Sequence, residues 1–186
     1  MISLEKGSRI NLQKDDGSKL TSISMGLGWD GAKGFLGSAK SIDLDASCLL
    51  LNADKQLVEE VSFRNLQSRC RSIQHSGDNR TGAGDGDDET IKVNLASLPA
   101  NVSYLVFTVN SFTGQTFNDV ENAKCRVYDD KGQAQAQYVL SDKGSHTGMV
   151  MVSVYRHGDD WKVRAIGHQT SGRVAQDMMR DIATVI

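Results

Sequence analysis

The chain carries a single proline, Pro99, in 186 residues, and aromatic side chains make up only 6% of it. So little proline excludes an extended proline-rich linker or ligand segment. No apolar run approaches the roughly 20 residues needed to span a bilayer as a helix. The opening stretch, MISLEKGSRI, has no apolar core of the secretory type, so no signal peptide is expected. Charge of one sign is missing too: 21 Lys and Arg face 23 Asp and Glu, a net charge of −2. That balance argues against electrostatically driven tracking along nucleic acid. The three cysteines, Cys48, Cys70 and Cys125, form no CxxC pair. Free thiols in a reducing cytosol, acting as small core hydrophobes, are the expectation.

What the chain has is glycine, 18 residues of it, and short apolar–polar alternation. The length suits one domain, residues 1–186, able to bury a core without metal or disulfide staples. Strands are expected over 21–27, 41–51, 57–63, 90–95, 102–109, 124–128, 134–140, 147–156 and 161–167, with two shorter stretches at 2–5 and 9–12. His157-Gly158-Asp159-Asp160 reads as a hairpin turn between two of them. The run 41–51 is the clearest. Ile42, Leu44, Ala46, Cys48 and Leu50 fall on one face, and Asp43 and Asp45 sit side by side on the other. Leu49 and Leu51 interrupt the polar face, so that end is expected to be buried on both sides. Gly26, Gly28, Gly31, Gly34 and Gly37 read as a loop. Val174, Met178, Ile182 and Val185 recur at helical spacing and predict a short helix over 173–184. The sum is an all-β chain: a β-sandwich of two antiparallel sheets with one short C-terminal helix.

Chemistry concentrates between His75 and Glu89. Five carboxylates and three glycines lie between 78 and 89, against one cation, Arg80. Two carboxylates held 4 Å apart repel by about 4 kcal/mol at an effective dielectric of 20. Such a loop is either fully solvated or gathered round a counter-ion. Hard oxygens on a glycine-rich frame suit Ca²⁺; Zn²⁺ would want Cys or clustered His. An EF-hand is excluded, because Arg80, Gly82 and Ala83 occupy its third, fifth and sixth positions. Asp43 and Asp45 would complete a bipartite site if their strand end met this loop. Asp119 and Asn122 read as caps of a short turn or as ligands, the cap being the favoured reading. His75 beside Ser76 and Asp78 reads as a local coincidence, not a triad.

Several motifs in fixed order carry a resemblance. Gly26-Leu27-Gly28-Trp29-Asp30, Asp43-Leu44-Asp45-Ala46-Ser47, Gly77-Asp78-Asn79-Arg80-Thr81-Gly82 and Gly86-Asp87-Asp88-Glu89 are followed by Ile91-Lys92-Val93-Asn94-Leu95 before Pro99, and late in the chain by Tyr155-Arg156 and Trp161-Lys162-Val163-Arg164-Ala165-Ile166-Gly167. Together they resemble the TerD family of tellurium-resistance and stress-response proteins. The resemblance implies a non-catalytic β-sandwich with acidic calcium-binding loops at one end, holding two neighbouring Ca²⁺ ions. It implies Asp43, Asp45, Asp78, Asn79, Asp87, Asp88 and Glu89 as ligands, with Asp30, and a hydroxyl or carbonyl from Thr81 and Gly82. It further implies a cytoplasmic bacterial protein that works with related tellurium-resistance proteins and membrane-associated partners, leaving peripheral attachment at the inner membrane open. The chain departs from the family in Lys33 and Lys40, in a shorter segment at 111–115 and in its last stretch, 170–186. Two rival readings share the same carboxylates: a Ca²⁺-dependent lipid-binding module that uses Lys33 and Lys40, and a two-metal phosphoester hydrolase.

Overall fold

The computed structural model describes residues 1–14, 16–31, 42–78, 86–140 and 143–186. Their strands, in chain order, are β1 (Ile2–Leu4), β2 (Arg9–Asn11), β3 (Ser22–Gly31), β4 (Asp45–Leu51), β5 (Leu57–Val61), β6 (Ile73–His75), β7 (Glu89–Asn94), β8 (Tyr104–Asn110), β9 (Val120–Tyr128), β10 (Ala134–Val139), β11 (Gly148–His157) and β12 (Asp160–Thr170). They form two six-stranded sheets, ordered β1-β10-β9-β3-β7-β6 and β2-β12-β11-β8-β4-β5. Every neighbouring pair is antiparallel except β1 with β10. The expected sandwich is therefore present. His157 pairs with Asp160, and Gly158 takes φ +62°, so the expected hairpin turn joins β11 to β12.

Alternation decides which side chains enter the core. From the segment leading into and along β4, Ile42, Leu44, Ala46, Cys48 and Leu50 pack between the sheets with Leu27, Ile91 and Phe107. The opposite face of β4 starts at Asp45 and ends at Leu49 and Leu51. Those two leucines join Val106, Val150 and Ile166 in a second, outer cluster. A 3₁₀ turn at Ala175–Met178 and a helix, α1 (Met179–Val185), cover that cluster with Ala175, Met178 and Ile182. Burial of each such aliphatic side chain contributes roughly 1.5–3 kcal/mol before entropy is counted. Burial on both faces at the end of 41–51, and the late amphipathic helix, are both as expected. Cys48 and Cys125 are buried and Cys70 is half-buried, all three as free thiols.

One expectation fails. Residues 26–31 are not loop: β3 runs through Gly26 and Gly28 to Gly31. Glycine was read as a break, but here it clears space on a strand. A Cβ at Gly26 would overlap the Asp87 carboxylate, and one at Gly28 would lie 2.9 Å from the Gly86 carbonyl oxygen. The backbone around Gly86 and Asp87 thus lies directly on the outer face of β3. A register irregularity against β9 between Gly28 and Asp30 accompanies the burial of Trp29 in the core.

Candidate metal centre

The Asp43–Asp45 segment and the described ends of the acidic stretch, Asp78 and Glu89, meet at one end of the sandwich, and two side chains join them. β5 pairs with β4 only from Cys48 onward, so the backbone of Ala46 has no strand beside it on that edge. Glu89, at the start of β7, fills the gap by accepting the Ala46 N–H at 2.7 Å. His75, at the end of β6, meets the Ala46 carbonyl through Nε2 at 3.1 Å and Glu89 Oε2 at 3.3 Å. The Gly77 N–H donates to His75 Nδ1, so that nitrogen carries no proton and Nε2–H is the donor. Both side chains are fully buried. Together they replace a missing strand, satisfying backbone groups that would otherwise be buried without partners.

Trp29 braces the same corner from the other side. Its indole N–H donates to the Ile42 carbonyl at 3.1 Å, one residue before Asp43. The Asp43 N–H in turn donates to Gln115 Oε1 at 3.0 Å. Asp45 is then carried to the pole by the first pairing of β4 with β8, opposite Asn110. It is 4% exposed, and its Oδ2 is buried without a hydrogen-bond partner. Burial, followed by the charges of Glu89, Asp43 and Asp78, pushes its carboxyl up to about 7; the Phe112 N–H pulls the other way. Among the described residues, no cation figures among its charged neighbours. This is a carboxylate in want of positive charge.

The next residues along the same loop are arranged differently. Asp87 lies across Gly26 and takes two bonds from Arg126, at 2.9 and 2.8 Å, and one from the Tyr128 hydroxyl at 2.5 Å. Burial and the bond to Asp87 push the Tyr128 phenol up to about 12. Asp88 accepts the Trp29 N–H at 2.8 Å. Burial raises its carboxyl, with Asp30 and Asp87 adding to the effect and the Trp29 N–H and Lys124 opposing it. Asp30 is exposed and receives a bond from Asn122 Nδ2 at 2.7 Å. Asn122 sits within β9 at φ +53° rather than capping a turn.

Of the ten residues expected at the site, seven are described. Asp43, Asp45, Asp78 and Glu89 form one electrostatic neighbourhood, and Asp30, Asp87 and Asp88 form a second. Asn79, Thr81 and Gly82 lie outside the described residues, as do Lys33, Lys40 and Asp85. Among the described residues, no three Asp, Glu, His or Cys side chains converge to hold a metal ion by themselves. The donor set is nevertheless one of hard oxygens, centred on a buried and unbonded carboxylate atom, and it fits a hard divalent cation. His75, Gln115 and Trp29 were not read as builders of this corner. Each acts through a partner remote in the chain, with no local signal beyond Trp29 standing between Gly28 and Asp30.

A family model described as the TerD domain matches residues 1–181. The chain belongs to the TerD family. Tellurium resistance protein TerZ of Serratia marcescens is 49% identical over 100% of this chain and 99% of its own length. Stress response protein SCP2 of Bacillus subtilis is 38% identical over 96% and 97%. A crystal structure of a homologue of telluride resistance protein TerD from Streptomyces coelicolor superposes with a TM-score of 0.73 at 18% identity, over 90% and 99% of the two chains. That likeness shows the fold alone. These relatives of the TerD-family chain are named for resistance and stress response, not for an enzymatic activity. No helix among its described residues is long and apolar enough to cross a membrane.

Proposed function

We propose that this TerD-family chain is a non-catalytic, Ca²⁺-binding stress-response protein of the tellurite-resistance type, whose acidic pole is ordered by the ion for docking to a partner. One observation carries the reading: Asp45 is buried with an unbonded oxygen, facing Asp43, Asp78 and Glu89 and, among the described residues, no cation. Asp43, Asp45 and Asp78 would hold the ion, with Glu89 at its margin and Asn79, Thr81 and Gly82 supplying donors from the loop. Asp88 and Asp30 would serve a second, adjacent ion. The bound charge would favour the ionised form of Asp45 and relieve the repulsion of the pole. Partners would be related tellurium-resistance proteins and membrane-associated proteins, with the chain in the cytoplasm or at the inner membrane.

The test is calorimetric titration and thermal melting of chelator-stripped protein. Ca²⁺ at a hundredfold excess over Kd should add about 2.7 kcal/mol of stability. Absence of both heat and a melting shift refutes the reading. Asp43→Asn with Asp45→Asn should abolish at least one site; retained affinity would move the ligands elsewhere.

A second reading has its own support. Phe112, whose N–H meets the Asp45 carboxylate, is 43% exposed, and Leu66, bonded through its carbonyl to the His75 N–H, is 46% exposed. Arg64 lies 5.2 Å from the rings of both Phe63 and Phe112. An apolar tip with one cation beside a Ca²⁺ site suits anionic membranes. Co-sedimentation with phosphatidylserine vesicles, with Ca²⁺ and then with chelator, separates this from protein docking. The hydrolase alternative has no comparable support.

A further inference from the structure

A second polar site lies on the outer face of the β2-to-β5 sheet, at the end remote from Asp45. β4 spans the distance between them, about 20 Å for its six residue steps. An open cleft of about 520 Å³ is lined there by Arg9, Tyr104, Tyr155, His157, Lys162 and Arg164, with Ser153 and Ile186 completing the wall. The volume falls in the roughly 300–1,000 Å³ range of small-ligand sites. Four of the lining residues are basic and none is acidic.

The register explains how they meet. Arg9 on β2 is the direct partner of Arg164 on β12, and Lys162 stands two residues away on the same face. Lys162 faces Tyr155 on β11, which faces Tyr104 on β8. Like charges directly opposite one another across a strand pair are destabilising. No ion pair offsets them: among the described residues, Arg9, His157, Lys162 and Arg164 make none. Arg164 gives one Nη1 bond to the Val185 carbonyl, and its Nε is buried without a partner. Neighbouring Arg156 shows the contrast. Its guanidinium stacks on Trp161 and is bonded to the Val102 and Leu98 carbonyls, a purely structural use. Beside the cations, the Tyr104 and Tyr155 rings stack with centroids 6.5 Å apart and planes 26° apart, giving the cleft a flat aromatic wall.

Clustered guanidinium and ammonium groups recognise phosphate, and an aromatic wall recognises a planar ring. We propose that this cleft binds a single nucleotide, its phosphates on Arg9, Lys162 and Arg164 and its base against Tyr155. The near-neutral chain offers no track for a polymer, and one cleft of this volume suits one nucleotide.

The experiment is calorimetric titration of the whole chain in chelator with ADP, adenosine and pyrophosphate. Working in chelator makes the outcome independent of the calcium reading. ADP should bind, adenosine at least about tenfold more weakly, and pyrophosphate between the two. Arg9→Gln with Lys162→Gln should weaken ADP by about tenfold or more with the melting temperature retained. Should that pair fail to fold, Arg9→Gln alone, at an exposed position, should shift ADP affinity in the same direction. Tyr155→Leu should weaken ADP and leave pyrophosphate unchanged. No ADP binding, wild-type affinity in the cation variants, adenosine binding as tightly as ADP, or binding confined to anionic vesicles or oligonucleotides overturns the proposal.

Discussion

Two acidic neighbourhoods lie side by side at one pole, built partly from the same loop, and they have opposite electrostatics. Around Asp87 the protein supplies its own positive charge: Arg126 and the Tyr128 hydroxyl saturate the carboxylate, and Lys124 stands near Asp88. Around Asp45 the neighbours are Glu89, Asp43 and Asp78, and the carboxyl is driven up to about 7. The difference teaches that carboxylate count does not mark an ion site. What sets the two clusters apart is whether folding brings a cation to the carboxylate that it buries.

The largest effect should appear as a pH dependence of the metal-free protein. The folded Asp45 carboxyl titrates at about 7, against 3.8 for the unperturbed group. The folded state therefore holds a proton that the unfolded chain has released between those values. The resulting stabilisation is full below about pH 4 and is lost as pH rises through about 7, at most about 4 kcal/mol in all. Urea unfolding in chelator at pH 5 and pH 8 should show the part of this loss that falls above pH 5, at most about 3 kcal/mol, and Asp45→Asn should flatten it. An Asp87→Asn variant with the flatter profile would reverse the comparison.

Glu89→Ala should cost about 3 kcal/mol, because the buried Ala46 N–H and the His75 Nε2–H both lose an acceptor. Thermal melting would read that as a drop of roughly 6–12 °C for a chain of this size. A loss under 1 kcal/mol would mean that the corner does not depend on this side-chain bridge. Gly26→Ala should cost about 2 kcal/mol by forcing Asp87 off β3 and away from Arg126. Tyr128 should register the change, its phenol titrating nearer the ordinary value of 10.0 in an ultraviolet pH titration. The smallest contrast concerns the ion itself. Asp45→Asn should weaken Ca²⁺ by about tenfold or more, near 1.4 kcal/mol, while Asp87→Asn changes it less than about twofold. Equal losses would merge the two neighbourhoods into one.

Much of the architecture was legible in alternation. The period of two along 41–51 sorted Ile42 through Leu50 to the core and the aspartates to the other face, and Leu49 with Leu51 announced a covering element. The glycines of β3 misled, because a residue that frees the backbone in a turn can equally clear room on a strand. At the pole, the acidic residues were legible, but their grouping was not. Arg80 is the only cation within the loop, whereas the groups that neutralise Asp87 come from β9, about 40 residues on.

By itself the sequence determined the β-sandwich, the family and the set of oxygen donors, because these depend on residue type and local spacing. Tertiary structure alone decided which carboxylate is neutralised and which is left in want of charge. Burial and long-range pairing set a carboxylate's charge state, and neither is written in the residues next to it.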